Sequence, residues 1–179
     1  MRALNNGEWR RQDMMRLILG LFLVYMLLFW VTNWVLFLTK FSFDPSVIAA
    51  YYQGDPTSEF GAPPRPIAAM AESSHMHLFA MGMLLLTLTH LVIFLPLPVR
   101  VKGTLVVGTF LSALLEQGAG WLIRFYGAGF AWVKIGSFVA LQVILLGLIT
   151  ALLVGIARPM PVAQADRKTP QALVQDKVA

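Results

Sequence analysis

The three histidines of the chain, His75, His77 and His90, lie in one apolar stretch. Imidazole is a common ligand of haem iron, zinc and copper, and it exchanges protons near neutral pH. At 100° per residue of an α-helix, His75 and His90 share a face with Gly82 between them, whereas His77 points to roughly the opposite side. The 15 residues from His75 to His90 correspond to ~22 Å of helix. This spacing places His75 near the outer surface and His90 toward the cytoplasmic side of one helix.

Two histidines about four turns apart on one face, with a glycine between them, resemble the helices of membrane b-type cytochromes, which carry two haems across a membrane. The run His75-Met76-His77-Leu78-Phe79 also resembles helices of haem-copper-oxidase-like proteins. With His90-Leu91 and the upstream Tyr51-Tyr52-Gln53-Gly54, it is similar to a group of small bacterial four-helix membrane proteins. The resemblance implies that His75 and His90 bind haem b. It also implies that His77 supports or substitutes at the outer site and that Gly82 makes room for the porphyrin edge.

The chain departs from the cytochrome b pattern in its number of ligands. Two bis-histidine haems need four imidazoles, and this chain has three histidines, all on one helix. The missing ligands are expected from methionine, from a homodimer in which the helix faces its own copy, or from another subunit. The methionines available in principle are Met14, Met15, Met26, Met70, Met76, Met81 and Met83.

A copper, zinc or non-haem iron site at the outer surface is an alternative. It uses His75 and His77 with Glu72, and the third histidine, His90, is a further candidate metal ligand. It requires that the helix begins after His77, because residues i and i+2 of a helix do not face each other. The chain has no cysteine, which excludes iron–sulfur clusters, thiolate sites and covalent c-type haem. A structural role in packing and hydrogen bonding is a further alternative for the histidines.

The elements that position these residues are expected to span a membrane. The chain is 58% hydrophobic and 13% charged, which is outside the range of ordinary soluble proteins. A span needs about 20 apolar residues, and the first apolar run is too long for a signal peptide. The sequence therefore predicts an all-α, integral membrane four-helix bundle over residues 1–158 and a flexible cytoplasmic tail over 159–179. The four helices are expected at about 17–39, 74–95, 104–125 and 134–157.

Positive charge predicts the orientation of the bundle. Ten Lys and Arg residues lie in 1–16, 100–102 and 158–177, against four on the opposite side. By the positive-inside rule, both termini are cytoplasmic and the loop 40–73 is periplasmic, as expected for a multi-pass protein of a bacterial inner membrane. The scattered basic residues do not predict a nucleic-acid partner. Aromatic residues near the outer helix ends are expected to form an interfacial belt: Trp30, Trp34, Trp121, Tyr126 and Trp132.

Small and polar residues predict which faces turn inward. The third span carries Gly108, Ser112, Glu116 and Gly120 at spacings of four, and the fourth carries Gly136, Ala140, Gly147, Ala151 and Gly155. Such rows let helix backbones approach in lipid, so these two helices are expected to pair closely. Glu116 is a costly acidic group within a span. It is expected to bind the helices together with Gln117, or to serve as a proton-relay group, a quinone-site carboxylate or a metal ligand.

These residues favour an integral membrane electron-transfer protein, or a haem-bearing subunit of a respiratory-type complex. Its expected partners are lipid, further copies or subunits, and a quinone or a periplasmic cytochrome. The rival hypothesis is a non-enzymatic structural or interaction subunit. No phosphate-binding loop, zinc-protease motif or hydrolase motif is present, and the repeats typical of transporters are not visible. The sequence does not decide whether the protein catalyses a reaction.

Overall fold

The structure is a computed structural model that describes residues 13–55, 57 and 61–157. This part of the chain is all-α, and four of its helices are long and apolar enough to cross a membrane. The predicted four-helix membrane bundle is therefore confirmed, whereas the expected tail at 159–179 lies outside the described residues. The helices are α1 (Asp13–Lys40), α2 (Pro45–Gln53), α3 (Ile67–Val92), α4 (Val99–Tyr126) and α5 (Ala131–Ala157), with a 3-10 turn at Ala128–Phe130 before α5.

Two of the long helices begin earlier than expected. α3 starts at Ile67 instead of residue 74, and α4 starts at Val99 instead of residue 104. Each follows a proline, Pro66 or Pro98, whose ψ of 139° or 142° lies outside the helical region, so the helix begins at the next residue. The sequence estimate counted only the residues needed to cross hydrocarbon, so it missed these first turns. The expected loop 40–73 is thereby shortened and contains α2.

The short helix α2 lies within the expected loop, and local rules explain both of its ends. The Asp44 carboxylate accepts a hydrogen bond from the Ser46 amide at 2.8 Å, and Pro45 occupies the first turn. The helix stops at Gly54, which has φ of +84°. A β-carbon there would lie 2.5 Å from the Ala62 carbonyl oxygen, so only glycine lets the chain turn back at this point.

α5 is the central helix and packs against α1, α3 and α4. The predicted pairing of α4 with α5 is confirmed as the most extensive helix interface, and Gly108 of α4 approaches Ile144 of α5. The small-residue row of α5 does not form this interface, because Gly136, Ala140 and Gly147 are exposed. With neighbours on three sides, α5 instead fills the interior with larger residues: Phe138, Leu141, Leu145, Leu148, Ile149 and Leu152.

The buried apolar residues form two groups along the bundle axis. At the end covered by α2, the aromatic core consists of Phe37, Phe41, Ile48, Ala49, Tyr52, Met70, Ile123, Ala131 and Phe138. Toward the opposite end, the leucine core consists of Leu19, Leu23, Met26, Leu85, Leu88, Val92, Leu95, Leu141, Leu145, Leu148, Ile149 and Leu152. The helix surfaces outside these cores carry large apolar side chains, as expected for contact with lipid.

Candidate functional sites on α3 and beneath α2

His75 and His90 lie on one outward-facing stripe of α3, together with Phe79 and Leu86, which are 72% and 56% exposed. We call these four residues the histidine stripe. Among the described residues, none hydrogen-bonds to either imidazole, although the His90 ring meets Phe94 edge-on at 5.6 Å between centroids. Gly82 lies at the margin of the stripe, and no atom lies within 4 Å of the position a β-carbon would take there. The space beside Gly82 is open.

His77 faces a different direction from the histidine stripe, as the helix geometry predicted. Its Nδ1 lies 2.9 Å from the Ser73 carbonyl oxygen. A carbonyl can only accept, so Nδ1 carries the proton and Nε2 of the neutral ring is left as an acceptor. The side chain borders a cavity on the inner side of α3. The structure therefore does not bring His77 together with His75.

The geometry does not meet the condition for a metal site around His75-Met76-His77. α3 begins at Ile67, so both histidines lie in continuous helix, and their side chains diverge. The part of the chain that the structure describes also contains no group of three or more His, Cys, Asp or Glu residues placed to hold a metal ion. Glu116 lies across the bundle interior with a different partner.

That partner is Lys134 of α5, whose ammonium group forms an ion pair with the Glu116 carboxylate. Lys134 Nζ also donates to the Glu116 backbone carbonyl at 2.9 Å. Both side chains are largely buried, with 7% and 21% of the Lys134 and Glu116 side chains exposed. Lys134 is one of the four basic residues that the sequence placed on the periplasmic side, and the sequence did not predict this contact. The available signal was a basic residue in the first turn of the helix that follows Glu116 in an antiparallel hairpin.

Tyr52 of α2 lies next to the Glu116–Lys134 ion pair and hydrogen-bonds to Lys134. Its ring lies against Gly120, where an added β-carbon would come within 2.8 Å of the ring. Burial raises the pKa of the Tyr52 hydroxyl, and the nearby Lys134 ammonium partly opposes that shift. Tyr52 therefore remains a neutral phenol at physiological pH. Gly120, expected on a helix-pairing row, instead makes room for this tyrosine.

A second polar network ties α3 to α4. The Ser74 hydroxyl oxygen accepts hydrogen bonds from Gln117 Nε2 at 2.8 Å and from Trp121 Nε1 at 2.9 Å. Gln53 of α2 donates to the Ile123 carbonyl at 2.8 Å and so fixes α2 on α4. Gln117 therefore does not assist Glu116, as one sequence hypothesis held, but bonds to Ser74.

The aromatic residues expected in an interfacial belt divide into two sets. Tyr126 and Trp132 are 76% and 66% exposed, consistent with the interface. Trp30 turns inward and donates to the Gln142 carbonyl at 2.9 Å, and Trp34 packs edge-on against Phe138 at 5.2 Å. Trp121 is engaged with Ser74 as described above. These three tryptophans therefore pack inside the bundle. Trp30 and Trp121 find acceptors there, whereas Trp34 Nε1 has no hydrogen-bond partner among the described residues.

The ion pair, Tyr52 and the Ser74 network border a cavity of about 210 Å³ beneath α2, and all four spans contribute to its walls. Its polar lining includes Asn33, Ser74, His77, Glu116, Gln117, Lys134 and Gln142. The apolar lining toward the leucine core includes Met81, Leu85, Phe110, Ala113 and Leu141. Gln142, Ser74 and Lys134 were not recognised as site residues from sequence, although a lone glutamine in the most apolar span is a signal that could have found Gln142.

The four spans and their buried polar groups define an integral, multi-pass membrane protein in contact with the lipid bilayer. The chain belongs to the Aq_1264_TM family, a transmembrane helical domain whose profile matches residues 42–163. The matched region begins after α1 and includes α2, α3, α4 and α5. Neither a curated protein nor a solved structure matches the chain.

Proposed function

We propose that this protein is an integral membrane electron-transfer subunit that holds b-type haem on the histidine stripe of α3, with the second axial ligands supplied by another chain. The observation that carries the proposal is that His75 and His90 share one outward face of a span. A polar ring turned toward lipid without a partner is costly, so a cofactor or a protein is expected to cover it. Iron ligation with a porphyrin against Phe79 and Leu86 meets that requirement.

A second chain is the proposed source of the second ligands, because none of the described helices covers the stripe. Met26 and Met70 are buried in the two cores, and Met81 borders the cavity. Met76 and Met83 are exposed but lie on α3 itself, from which they cannot reach the far side of a haem bound by the same helix. Met14 and Met15 lie at the start of α1, which does not cover the stripe. Among the described residues no methionine is placed to complete a site, which favours a second protein chain as the source of the ligands.

A symmetric dimer supplies them most economically. A two-fold axis along the membrane normal places each residue of α3 at the same depth as its own copy. His75 then faces His75 of the second copy, and His90 faces His90 of the second copy at the deeper site. The two chains together provide the four imidazoles that two bis-histidine haems need. The irons would be separated by ~22 Å along the axis. The haem would carry the redox chemistry, and the protein would hold it between a quinone pool and a periplasmic cytochrome.

The test is the visible spectrum of the protein purified in mild detergent, recorded oxidised and after dithionite reduction. We expect the α-band of reduced b-type haem. His75→Ala and His90→Ala should each remove about half of the haem if there are two sites, and the double variant should be colourless. His77→Ala is the matched control on the same helix and should retain the haem, because His77 faces the cavity.

A colourless, iron-free preparation with native helicity overturns the proposal and favours a structural or interaction subunit. Loss of all haem with either single variant, in protein that stays folded, contradicts two separate sites. Copper or zinc that is lost with His77→Ala would instead favour the metal alternative. The oligomeric state of the haem-loaded protein in detergent tests the dimer, since a haem-bearing monomer excludes it.

We further propose that both termini face the cytoplasm of a bacterial inner membrane. The charge asymmetry supports this orientation, and so does the structure's burial of Lys134, which leaves fewer free cations at the α2 end. Because the chain lacks cysteine, single-cysteine labelling gives a direct test. Ser42→Cys at the α2 end should react with an impermeant maleimide in intact spheroplasts, whereas Gly103→Cys should react only after permeabilisation. The reverse pattern contradicts the orientation.

A further inference from the structure

The lining of the cavity beneath α2 extends to the side surface of the bundle. Its lining includes Leu36 of α1 and Leu78 of α3, which are 49% and 51% exposed at the bundle surface. Leu78 lies in the middle of α3, and Leu36 lies one turn before the end of α1, so the lining reaches the lipid-facing surface of the bundle on both helices. At about 210 Å³, the cavity is several times the ~30 Å³ that one water molecule occupies. A molecule dissolved in the bilayer can therefore reach it without passing through water.

The floor of the cavity carries an acceptor with no partner. Gln142 is 1% exposed, and its Oε1 makes no hydrogen bond within the described residues. An unpaired amide oxygen at this depth is costly unless something donates to it. His77 Nε2 is a second acceptor, because Nδ1 holds the ring proton against Ser73. The Glu116 carboxylate is a third, already engaged with Lys134. The lining also includes the donors Lys40 and Arg65, but the buried, unpaired Gln142 oxygen is satisfied only by a ligand that donates a hydrogen bond.

The walls of the cavity favour a flat ring. Phe37, Phe41, Tyr52, Phe110, Trp121 and Phe138 contribute to the lining. Aromatic faces and edges at such positions pack well against a planar, conjugated head. Met81 and Leu85 continue the lining with flexible apolar side chains, which suit the start of an aliphatic tail.

We infer that this cavity binds a membrane-soluble amphipath whose head is a planar ring bearing hydroxyl groups, of the quinol type. One ring hydroxyl donates to Gln142 Oε1, the other donates toward His77 Nε2, and the tail leaves between α1 and α3. The dione form of the same ring has no hydroxyl hydrogen to donate to Gln142 Oε1 or His77 Nε2, so it binds more weakly. This inference goes beyond the proposed haem site, because neither His75 nor His90 lines the cavity and binding does not require haem.

Calorimetric titration of the full-length protein in detergent tests the inference. The probes are decylubiquinol under argon, decylubiquinone, and decanol as a control for partition into micelles. We expect saturable binding of the quinol, about tenfold tighter than that of the quinone, since one unmet hydrogen bond is worth about that factor. Decanol should give only the linear heat of partition.

Substitutions locate the ligand. Gln142→Leu should weaken quinol binding by about tenfold or more while changing quinone binding by less than about threefold. Thr150→Val, a polar-to-apolar change at an exposed position of the same helix, is the matched control and should leave both affinities unchanged. His77→Phe removes the second acceptor at an exposed position, so it keeps the test valid if Gln142→Leu fails to fold. It should also lower the preference for quinol.

Three results would overturn the inference. The first is equal affinity for quinol and quinone, and the second is an unchanged quinol affinity in both variants. The third is native mass spectrometry that shows a phospholipid or diacylglycerol retained one per chain and not displaced by quinol, which would make the cavity a lipid site. Haem content does not enter any of these measurements, so the inference and the haem proposal can fail independently.

Discussion

The two ends of the bundle are built differently. Around the leucine core, α1, α3 and α5 meet through aliphatic side chains, and Leu23, Leu88 and Leu148 have no exposed surface. Beneath α2, these helices together with α4 enclose an ion pair, hydrogen-bonded amides and a cavity. Lipid is as apolar as leucine, so burial of leucine in a membrane protein brings little hydrophobic gain and its contribution rests on close packing. The α2 end, in contrast, depends on its ion pair and hydrogen bonds.

Breaking the ion pair at the α2 end should cost more unfolding free energy than any change in the leucine core. Glu116→Leu or Lys134→Met alone leaves a buried charge without its partner and should cost about 3–5 kcal/mol of unfolding free energy. The double variant should recover most of that loss, because two apolar side chains replace two charges. Reversible unfolding in mixed dodecylsulfate micelles, followed by circular dichroism, measures both. Single variants as stable as the wild type would show that the pair does not support this end.

Truncation in the leucine core should cost less. Leu148→Ala should lose about 2 kcal/mol of unfolding free energy, mainly through the cavity that it leaves, since the transfer contribution is small in lipid. Leu146→Ala, on the exposed side of the same helix, is the control and should change stability little. Equal losses from both variants would contradict the assignment of Leu148 to a packed interior.

The contact between α2 and α4 can be tested by adding one methyl group at Gly120. Gly120→Ala places a β-carbon 2.8 Å from the Tyr52 ring and should cost about 1–2 kcal/mol as α2 moves away. Adding Tyr52→Leu should restore stability by removing the clash. Gly136→Ala, where no atom lies within 4 Å, should be neutral or slightly stabilising because alanine is the better helix former. The same unfolding assay measures all three variants.

The cap of α2 should give the smallest effect, and it should depend on pH. The hydroxyl and amide of Ser46 donate to the Asp44 carboxylate at 2.7 and 2.8 Å and lower the pKa of Asp44. A lowered folded-state pKa means that the stabilisation is present above the unfolded pKa of about 3.9 and is lost as pH falls through the folded value.

Hydrogen exchange of the α2 amides between about pH 3 and 7 reads this effect most directly. Protection should decline at the acidic end in the wild type. In Asp44→Ala it should be lower throughout and lack that decline, after correction for the intrinsic pH dependence of exchange. An identical acidic decline in both proteins would assign the titration to another group.

Much of the fold could be predicted from local signals. The four spans follow from apolar length, and α2 follows from Asp44-Pro45 at one end and Gly54 at the other. The beginnings of α3 and α4 were missed because helices extend past the hydrocarbon into turns that a hydropathy estimate does not count. The pairing of α4 with α5 was predicted, yet the face of α5 was not, since a row of small residues does not say which of several neighbours it meets.

The candidate sites were predictable in a similar, partial way. Helical spacing placed His75 and His90 on one face and His77 on another. The cost of a carboxylate in a span singled out Glu116, but the identity of its partner depends on how far the long side chain of Lys134 reaches across the hairpin. Gln142 and Ser74 became site residues only through the tertiary packing of α3, α4 and α5, which one sequence does not encode as a pattern.

The link between Glu116 and Lys134 also has a consequence for biosynthesis. Eighteen residues separate the two, and they sit on either side of the tight turn at Gly127. During translation, α4 emerges with an acidic group that hydrocarbon disfavours, and its neutralising amine follows only when the start of α5 leaves the ribosome. Stable release of α4 into lipid therefore waits for α5. The two helices should leave the insertion machinery as one hairpin and not one after the other.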